Sequence, residues 1–116
     1  MKTLPVALIL TLFVAPFGAG AADEMHHHQG MTPAQKSYQQ GMAAMHENMM
    51  KGLEAKDADV AFAQGMIAHH QGAIEMAKTE LQYGKDPEMR KLAEQIIAAQ
   101  QPEIDRMQAW LKKSGK

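Results

Sequence analysis

The amino-acid sequence predicts an all-α protein, an antiparallel three-helix bundle. Three stretches of the 116-residue chain repeat apolar residues every three or four positions, and a helix-capping pattern precedes each of them. No stretch alternates apolar and polar residues as a half-buried β-strand does. Because the links between the stretches are short, neighbouring helices should run antiparallel, and pairing with a second copy would complete a four-helix bundle.

The first 21 residues have the parts of a secretory signal peptide. Lys2 provides a positive charge, an apolar run follows, and small residues lead up to Ala21. An uncleaved membrane anchor is the alternative, but the apolar run is shorter than the roughly 20 residues that a bilayer span needs. We therefore expect cleavage before Ala22, export to a bacterial periplasm and no membrane span in the mature protein.

Residues 22–31 are expected to form a flexible tail, because this polar segment has no apolar periodicity. The tail contains His26, His27 and His28, which we predict to collect copper with low affinity. The alternative is a solvated histidine run that binds many divalent ions weakly. The helical domain would then occupy residues 32–116.

The first two helices are predicted over about residues 33–53 and 60–83. Thr32 as N-cap and Gln35 three residues later form a capping box at the start of the first helix. Asp59 is the expected N-cap of the second helix. Gly84 is its expected end, in the left-handed conformation that glycine adopts easily.

The third helix is predicted over about residues 87–113, with Asp86 as N-cap and Pro87 in the first turn. Pro102 cannot donate a backbone hydrogen bond, so a kink, or a break with a restart at that residue, is expected. One stripe of this helix is assigned to the core: Met89, Leu92, Ile96, Met107, Trp110 and Leu111.

The composition excludes some partners and limits how the protein is stabilised. The formal net charge is −1, which gives no electrostatic reason to bind nucleic acid or an anionic membrane. The chain contains no cysteine, so an exported domain of this size lacks disulfides and must rely on helix packing, a partner or a metal.

Methionines and histidines share one face on each of the first two helices. At about 100° per residue, each set spans a limited arc of its helix, and we expect the two faces to meet. His69 and His70 diverge, so each should pair with Met66 rather than share an ion, and Met76 belongs to another site or to the core. The predicted ligands are Met42, Met45, His46 and Met49 on the first helix, and Met66, His69, His70 and Met76 on the second.

The ligand types predict which metal is bound. Thioethers are soft, neutral donors that suit Cu(I) and, by the same chemistry, Ag(I) better than divalent ions. In an oxidising compartment thiols are diverted into disulfides, so methionine with histidine is the soft donor set that remains. Core packing is the alternative for each single methionine, because methionine is an adaptable core residue.

The sequence supports an enzymatic function less well than metal binding, and we expect no catalytic activity. The bundle helices lack the Glu-x-x-His pairs of a di-iron oxidase, and no nucleophile with a base or phosphate-binding loop appears. Glu103 is kept as a partner that orients a ligand histidine. Two alternatives remain open: a helical adaptor whose methionine-rich groove binds an amphipathic partner, and copper redox chemistry.

The stretches "DVAFAQGMIAHHQGAIEMA" and "DPEMRKLAEQIIAAQQPEIDRMQAWL" resemble domain-of-unknown-function family 305. Its ferritin-like helical members include periplasmic copper-binding proteins of the CopM type. The resemblance implies copper binding and resistance, and a copper efflux or delivery protein as partner. Many relatives carry two such units and this chain has one, which favours a homo-oligomer; Pro102 and the histidine tail are departures. The implied ligands are Met45, His46, Met49, Met66, His69, His70 and Met76.

Overall fold

The computed structural model of the protein describes residues 30–116, which form three α-helices and no β-strand. The predicted all-α three-helix bundle is confirmed. The predicted signal peptide and tail histidines lie outside the described residues. None of the three helices is long and apolar enough to cross a bilayer. The helices are α1 (Pro33–Gly52), α2 (Ala58–Tyr83) and α3 (Pro87–Lys113).

The starts of α1 and α3 are the predicted ones. The Thr32 hydroxyl accepts a hydrogen bond from the Gln35 N–H at 3.1 Å, and the Gln35 side chain accepts one from the Thr32 N–H at 2.9 Å. This reciprocal pair is the predicted capping box. At α3, the Asp86 carboxylate accepts from the Met89 N–H at 3.0 Å, and Pro87 occupies the first turn.

The start of α2 differs from the prediction: Asp57, not Asp59, is the N-cap. One Asp57 carboxylate oxygen accepts from the N–H groups of Asp59 and Val60, at 2.9 and 3.1 Å. Asp59 lies in the first turn, where its negative charge stabilises the positive end of the helix. Two aspartates stand next to the start, and only the backbone geometry decides which of them caps it.

The end of α2 also differs, because Gly84 is extended (φ −73°, ψ 151°) and not left-handed. The Gly84 N–H still donates to the Glu80 carbonyl at 2.7 Å. The Arg90 guanidinium of α3 donates to the carbonyls of Leu81 and Gly84, at 2.8 and 3.0 Å. A side chain from the next helix therefore satisfies carbonyls that a left-handed glycine motif would otherwise satisfy.

Helix α3 continues through Pro102 as one helix from Pro87 to Lys113. The predicted alternative of a break with a restart at Pro102 is therefore wrong. Part of the predicted core stripe is also wrong. Met89, Leu92 and Trp110 are exposed, whereas Ile104 retains only 2 % of its accessible surface. The reason is that α3 packs on a single neighbour, so only one side of the apolar stripe is covered.

The three helices form a layer with α2 in the middle. α1 and α3 each pack along α2 in the antiparallel direction, and they make no close backbone contact with each other. Small residues bring α1 close to α2. A methyl group at Gly52 would lie 2.8 Å from the Gln64 backbone, and one at Gly72 would overlap the Met45 side chain. The Ser37 and Thr79 hydroxyls bond at 2.7 Å near the other end of α1.

The cap of α2 predicts an acid-dependent loss of stability. A hydrogen bond from Lys116, at 3.0 Å, and the Val60 N–H hold the pKa of Asp57 below its usual value of 3.8. A lowered folded-state pKa stabilises the fold above about pH 3.8, and this contribution is lost as the pH falls through the folded-state value. Urea unfolding from pH 6 to pH 2 should show this loss.

Asp57→Asn should flatten that acid dependence, because asparagine caps a helix without titrating. Asp105→Asn, at an exposed position of α3, is the matched control and should keep the wild-type profile. If both variants lost stability in acid to the same extent, the acid-dependent part of the stability would not come from Asp57.

Candidate metal centre

His70 is the most enclosed of the predicted ligands in the described chain. It lies on α2, retains 7 % of its accessible surface, and its Nε2 contacts a carboxylate oxygen of Glu103 on α3. An ionised carboxylate can only accept, so Nε2 is the donor in this contact; in the neutral form of the ring the lone pair is then on Nδ1. Nδ1 is itself buried and has no hydrogen-bond partner among the described residues.

This arrangement is the one that a metal-binding histidine commonly shows. A ligand histidine usually donates its second N–H to a carboxylate, which fixes the tautomer and the ring orientation. A buried nitrogen without a partner is otherwise costly, by about 1–3 kcal/mol. The orphaned Nδ1 of His70 and the Glu103 contact therefore fit a metal ligand with its orienting partner, the role that the sequence left open for Glu103.

Two methionines line the same cleft as His70. The cleft lies between α2 and α3, has a volume of about 520 Å³, and is walled by Met66 of α2 and Met107 of α3. Phe62 and Trp110 form its apolar walls; its other lining residues are Asp59, Ala63, Glu103 and Arg106. The cleft therefore gathers one imidazole, two thioethers, two carboxylates and one guanidinium.

The helix register explains why these side chains meet. Met66 precedes His70 by one turn of α2, and Met107 follows Glu103 by one turn of α3. Because the helices are antiparallel and His70 contacts Glu103, the turn that carries Met66 lies beside the turn that carries Met107. The sequence predicts Met107 as a core residue, because only the register of α2 against α3 shows that it lines this cleft.

The methionine and histidine set of α1 lies elsewhere. Met45 packs against Gly72, where an added Cβ would overlap the Met45 side chain, and no residue of α1 lines the His70 cleft. The expectation that α1 faces Met66 and His70 was wrong, because α1 packs on the glycine side of α2. Met42 and His46 are exposed, and Met49 is partly buried. Their metal-ligand roles remain predictions.

The two other predicted ligands of α2 lie outside this cleft. His69 is exposed on the same turn as His70, and the two ring planes stand at 64° with centroids 6.0 Å apart. Met76 lines a second, smaller cleft of about 290 Å³ with Tyr38 and Met89. Met76 and Met66 therefore lie in different clefts, and the metal-ligand role of Met76 remains a prediction. Within residues 30–116, no three histidine or acidic side chains lie close enough to hold an ion.

Two comparisons place the chain among known sequences. The family model described as "Domain of unknown function (DUF305)" matches residues 13–111. "Uncharacterized protein L153" of Acanthamoeba polyphaga mimivirus is 43% identical over 53 residues, which is 46% of this chain and 35% of that protein. The matched part is therefore about a third of the length of this relative.

Proposed function

This chain belongs to the DUF305 family of domains of unknown function, and we propose that it is an exported protein that binds Cu(I) and, by the same chemistry, Ag(I). Bound copper would be sequestered or passed to an efflux or delivery protein, without catalysis. The observation that carries this proposal is the buried Nδ1 of His70, which has no hydrogen-bond partner in the described part of the chain and whose residue shares a cleft with Met66 and Met107. Periplasmic localisation rests on the N-terminal 21 residues and remains a prediction.

The donor set supports a soft monovalent cargo. His70, Met66 and Met107 would hold the ion, and all three are neutral donors. Two thioethers favour Cu(I) or Ag(I) over zinc, whose protein sites mostly use cysteine, histidine and carboxylates. Glu103 accepts the Nε2–H of His70, which makes the opposite ring nitrogen a stronger donor.

The walls of the cleft support binding that is still reversible. Phe62 and Trp110 provide apolar surface on both sides of the donors, which lowers the local polarity and excludes part of the water. Phe62 nevertheless keeps 64 % of its accessible surface and Trp110 keeps 40 %, so the cleft is open on one side. An ion held at such an open site can be transferred to a partner protein without unfolding of the helices.

Further copper positions are part of the proposal but have less support. Met42 and His46 are one turn apart on α1, and both side chains are exposed. The tail histidines His26, His27 and His28 lie outside the described residues. We expect these groups to bind copper more weakly than the His70 cleft, because an exposed donor such as Met42 or His46 must be ordered when the ion binds.

Competition titration with a chromogenic Cu(I) chelator tests the proposed function. The purified protein is expected to take one tightly bound Cu(I) into the His70 cleft. Glu103→Ala should weaken this binding by about 10–100-fold, because His70 loses the carboxylate that orients it. The Glu103 side chain is 64% exposed, so its removal should not unfold the protein.

Glu94→Ala is the matched control, since Glu94 is an exposed glutamate on the same helix that makes no described contact with His70. It should bind Cu(I) as tightly as the wild type. A wild-type dissociation constant for Cu(I) weaker than about micromolar would contradict copper binding as the function. Equal affinity of the two variants would contradict the location in this cleft.

A further inference from the structure

Trp110 is the only tryptophan of the chain, and it lines the His70 cleft. On α3 it follows Met107 by three residues, so the two side chains share one face of the helix. Phe62 comes one turn before Met66 on α2 and lies at the same level of the cleft as Trp110. The cleft therefore has a layer with two aromatic rings, one helical turn away from the layer with the two thioethers.

The direction of helical side chains brings the Trp110 ring toward the donors. Side chains in an α-helix lean toward the N-terminus of their own helix. On α3 this is the direction from Trp110 to Met107, and on α2 it is the direction from His70 to Met66. Because the two helices are antiparallel, the indole and the imidazole lean toward each other, with the thioethers between them.

Of the two rings in the cleft, Trp110 is better suited to contact a cation. The face of an aromatic ring is negative, and it attracts a cation that lies within about 6 Å of the ring centre. The indole of tryptophan gives the strongest attraction of this kind, and phenylalanine gives less. Phe62 is also more exposed than Trp110, so less of its surface faces the cleft.

The charged groups of the cleft favour a monovalent cation. Its lining includes the carboxylates of Asp59 and Glu103 and the guanidinium of Arg106, which together carry a formal net charge of −1. One Cu(I) or Ag(I) ion neutralises this charge, whereas a divalent ion would leave a positive excess. Thioether and imidazole ligands are neutral, so the bound ion keeps the positive charge that a ring face attracts.

We propose that the indole face of Trp110 covers the Cu(I) ion held by His70, Met66 and Met107, through a cation–π contact in the place of a fourth ligand. This assignment rests on the proposed copper site and adds to it a group that forms no bond to the metal. The ring keeps water from one side of the ion. Because a ring face binds a cation only weakly, an incoming ligand of a partner protein can displace it and take the ion. The competing interpretation is that Trp110 is only an apolar wall of the cleft.

Tryptophan fluorescence during metal titration tests whether the ring contacts the ion. Cu(I) and, separately, Ag(I) are added to the purified protein, and the emission reports on Trp110 alone because the chain has no other tryptophan. The emission should change as metal is added and stop changing at one equivalent. Unchanged emission, while a chromogenic chelator shows that the metal is bound, would overturn the contact.

Chelator competition with Trp110 variants separates a cation–π contact from an apolar wall. The affinity for Cu(I) should fall in Trp110→Phe, and it should fall further in Trp110→Leu, to about 5–30-fold below the wild type. The reason is that the ring face first becomes less negative and is then lost. A purely apolar wall would give the two variants the same affinity. Phe62→Leu is the matched control at the other ring of the cleft and should leave the affinity unchanged.

The results also separate a failure of this contact from a failure of the copper site. Trp110 and Phe62 are exposed, and unchanged far-UV circular dichroism would confirm that the variants are folded. If the wild type and Trp110→Leu bound Cu(I) equally tightly, the contact would be overturned and the copper site would remain. Equal losses in Trp110→Leu and Phe62→Leu would overturn the contact as well, because either wall would then serve. A wild type without tight Cu(I) binding would overturn both proposals.

Discussion

Replacing Met66 and Met107 together by leucine is expected to weaken Cu(I) binding by at least about 100-fold. The two thioethers line the His70 cleft from opposite helices, so the double substitution leaves the imidazole as the only soft donor there. A ligand should matter at least as much as an orienting partner, whose loss typically costs 10–100-fold. Leucine is close to methionine in volume and polarity, so the packing should be retained.

The measurement is Cu(I) competition titration together with X-ray absorption of the loaded protein. The wild type should show both sulfur and nitrogen neighbours of copper, and the double variant should lose sulfur neighbours. Met50→Leu with Met89→Leu is the matched control, because it also removes two methionines, both at exposed positions outside the cleft. This control should bind Cu(I) as tightly as the wild type.

Two results would contradict the assignment. If both double variants lost affinity equally, methionine content and not position would govern binding. If the loss instead followed Met45→Leu with Met49→Leu, the tight site would include ligands from α1, as the sequence predicts for the facing sides of the first two helices. Either result would move the copper site away from the α2–α3 cleft.

Local signals of the sequence predicted the helices well because they act within one or two turns. The capping box at Thr32 and the Asp86 cap depend only on residues a few positions apart, and both are confirmed. The two wrong capping predictions concern the ends of α2. At its start Asp57 forms the N-cap in place of the neighbouring Asp59, and at its end a side chain distant in the sequence satisfies the helix carbonyls near Gly84. At Gly84 the deciding group is Arg90, which belongs to the next helix.

The candidate site was only partly predictable for a geometric reason. Helical periodicity gives the face on which a residue lies, but it does not say which neighbouring helix covers that face. Met66 and His70 were recognised, yet their neighbour is α3 and not α1. The glycines at positions 65 and 72 carried the missing information, because a stripe of small residues marks where another helix approaches closely. Met107 could be identified only from the register of α2 against α3.

α1 approaches the backbone of α2 closely at Gly52 but not at Gly41, so alanine should have opposite effects on stability at these two positions. Gly52→Ala should lower the free energy of unfolding by about 1–3 kcal/mol, because the new Cβ would lie 2.8 Å from the carbonyl carbon of Gln64 and 2.9 Å from the nitrogen of Gly65. These are backbone atoms of α2, so no side-chain rotation relieves the overlap and the helices must separate.

Gly41→Ala is the matched control on the same helix. Its Cβ would lie 3.8 Å from the Cβ of Glu75, an ordinary contact, so the higher helix propensity of alanine should raise the free energy of unfolding by about 0.5–1 kcal/mol. Urea denaturation of both variants measures the two changes, provided that the dependence of the free energy of unfolding on urea concentration has the same slope in each. A stabilising Gly52→Ala would mean that α1 does not approach α2 closely at this end. The assignment of Gly65 and Gly72 to the α1 side of α2, which leaves Met66 and His70 for α3, would then lose its physical basis.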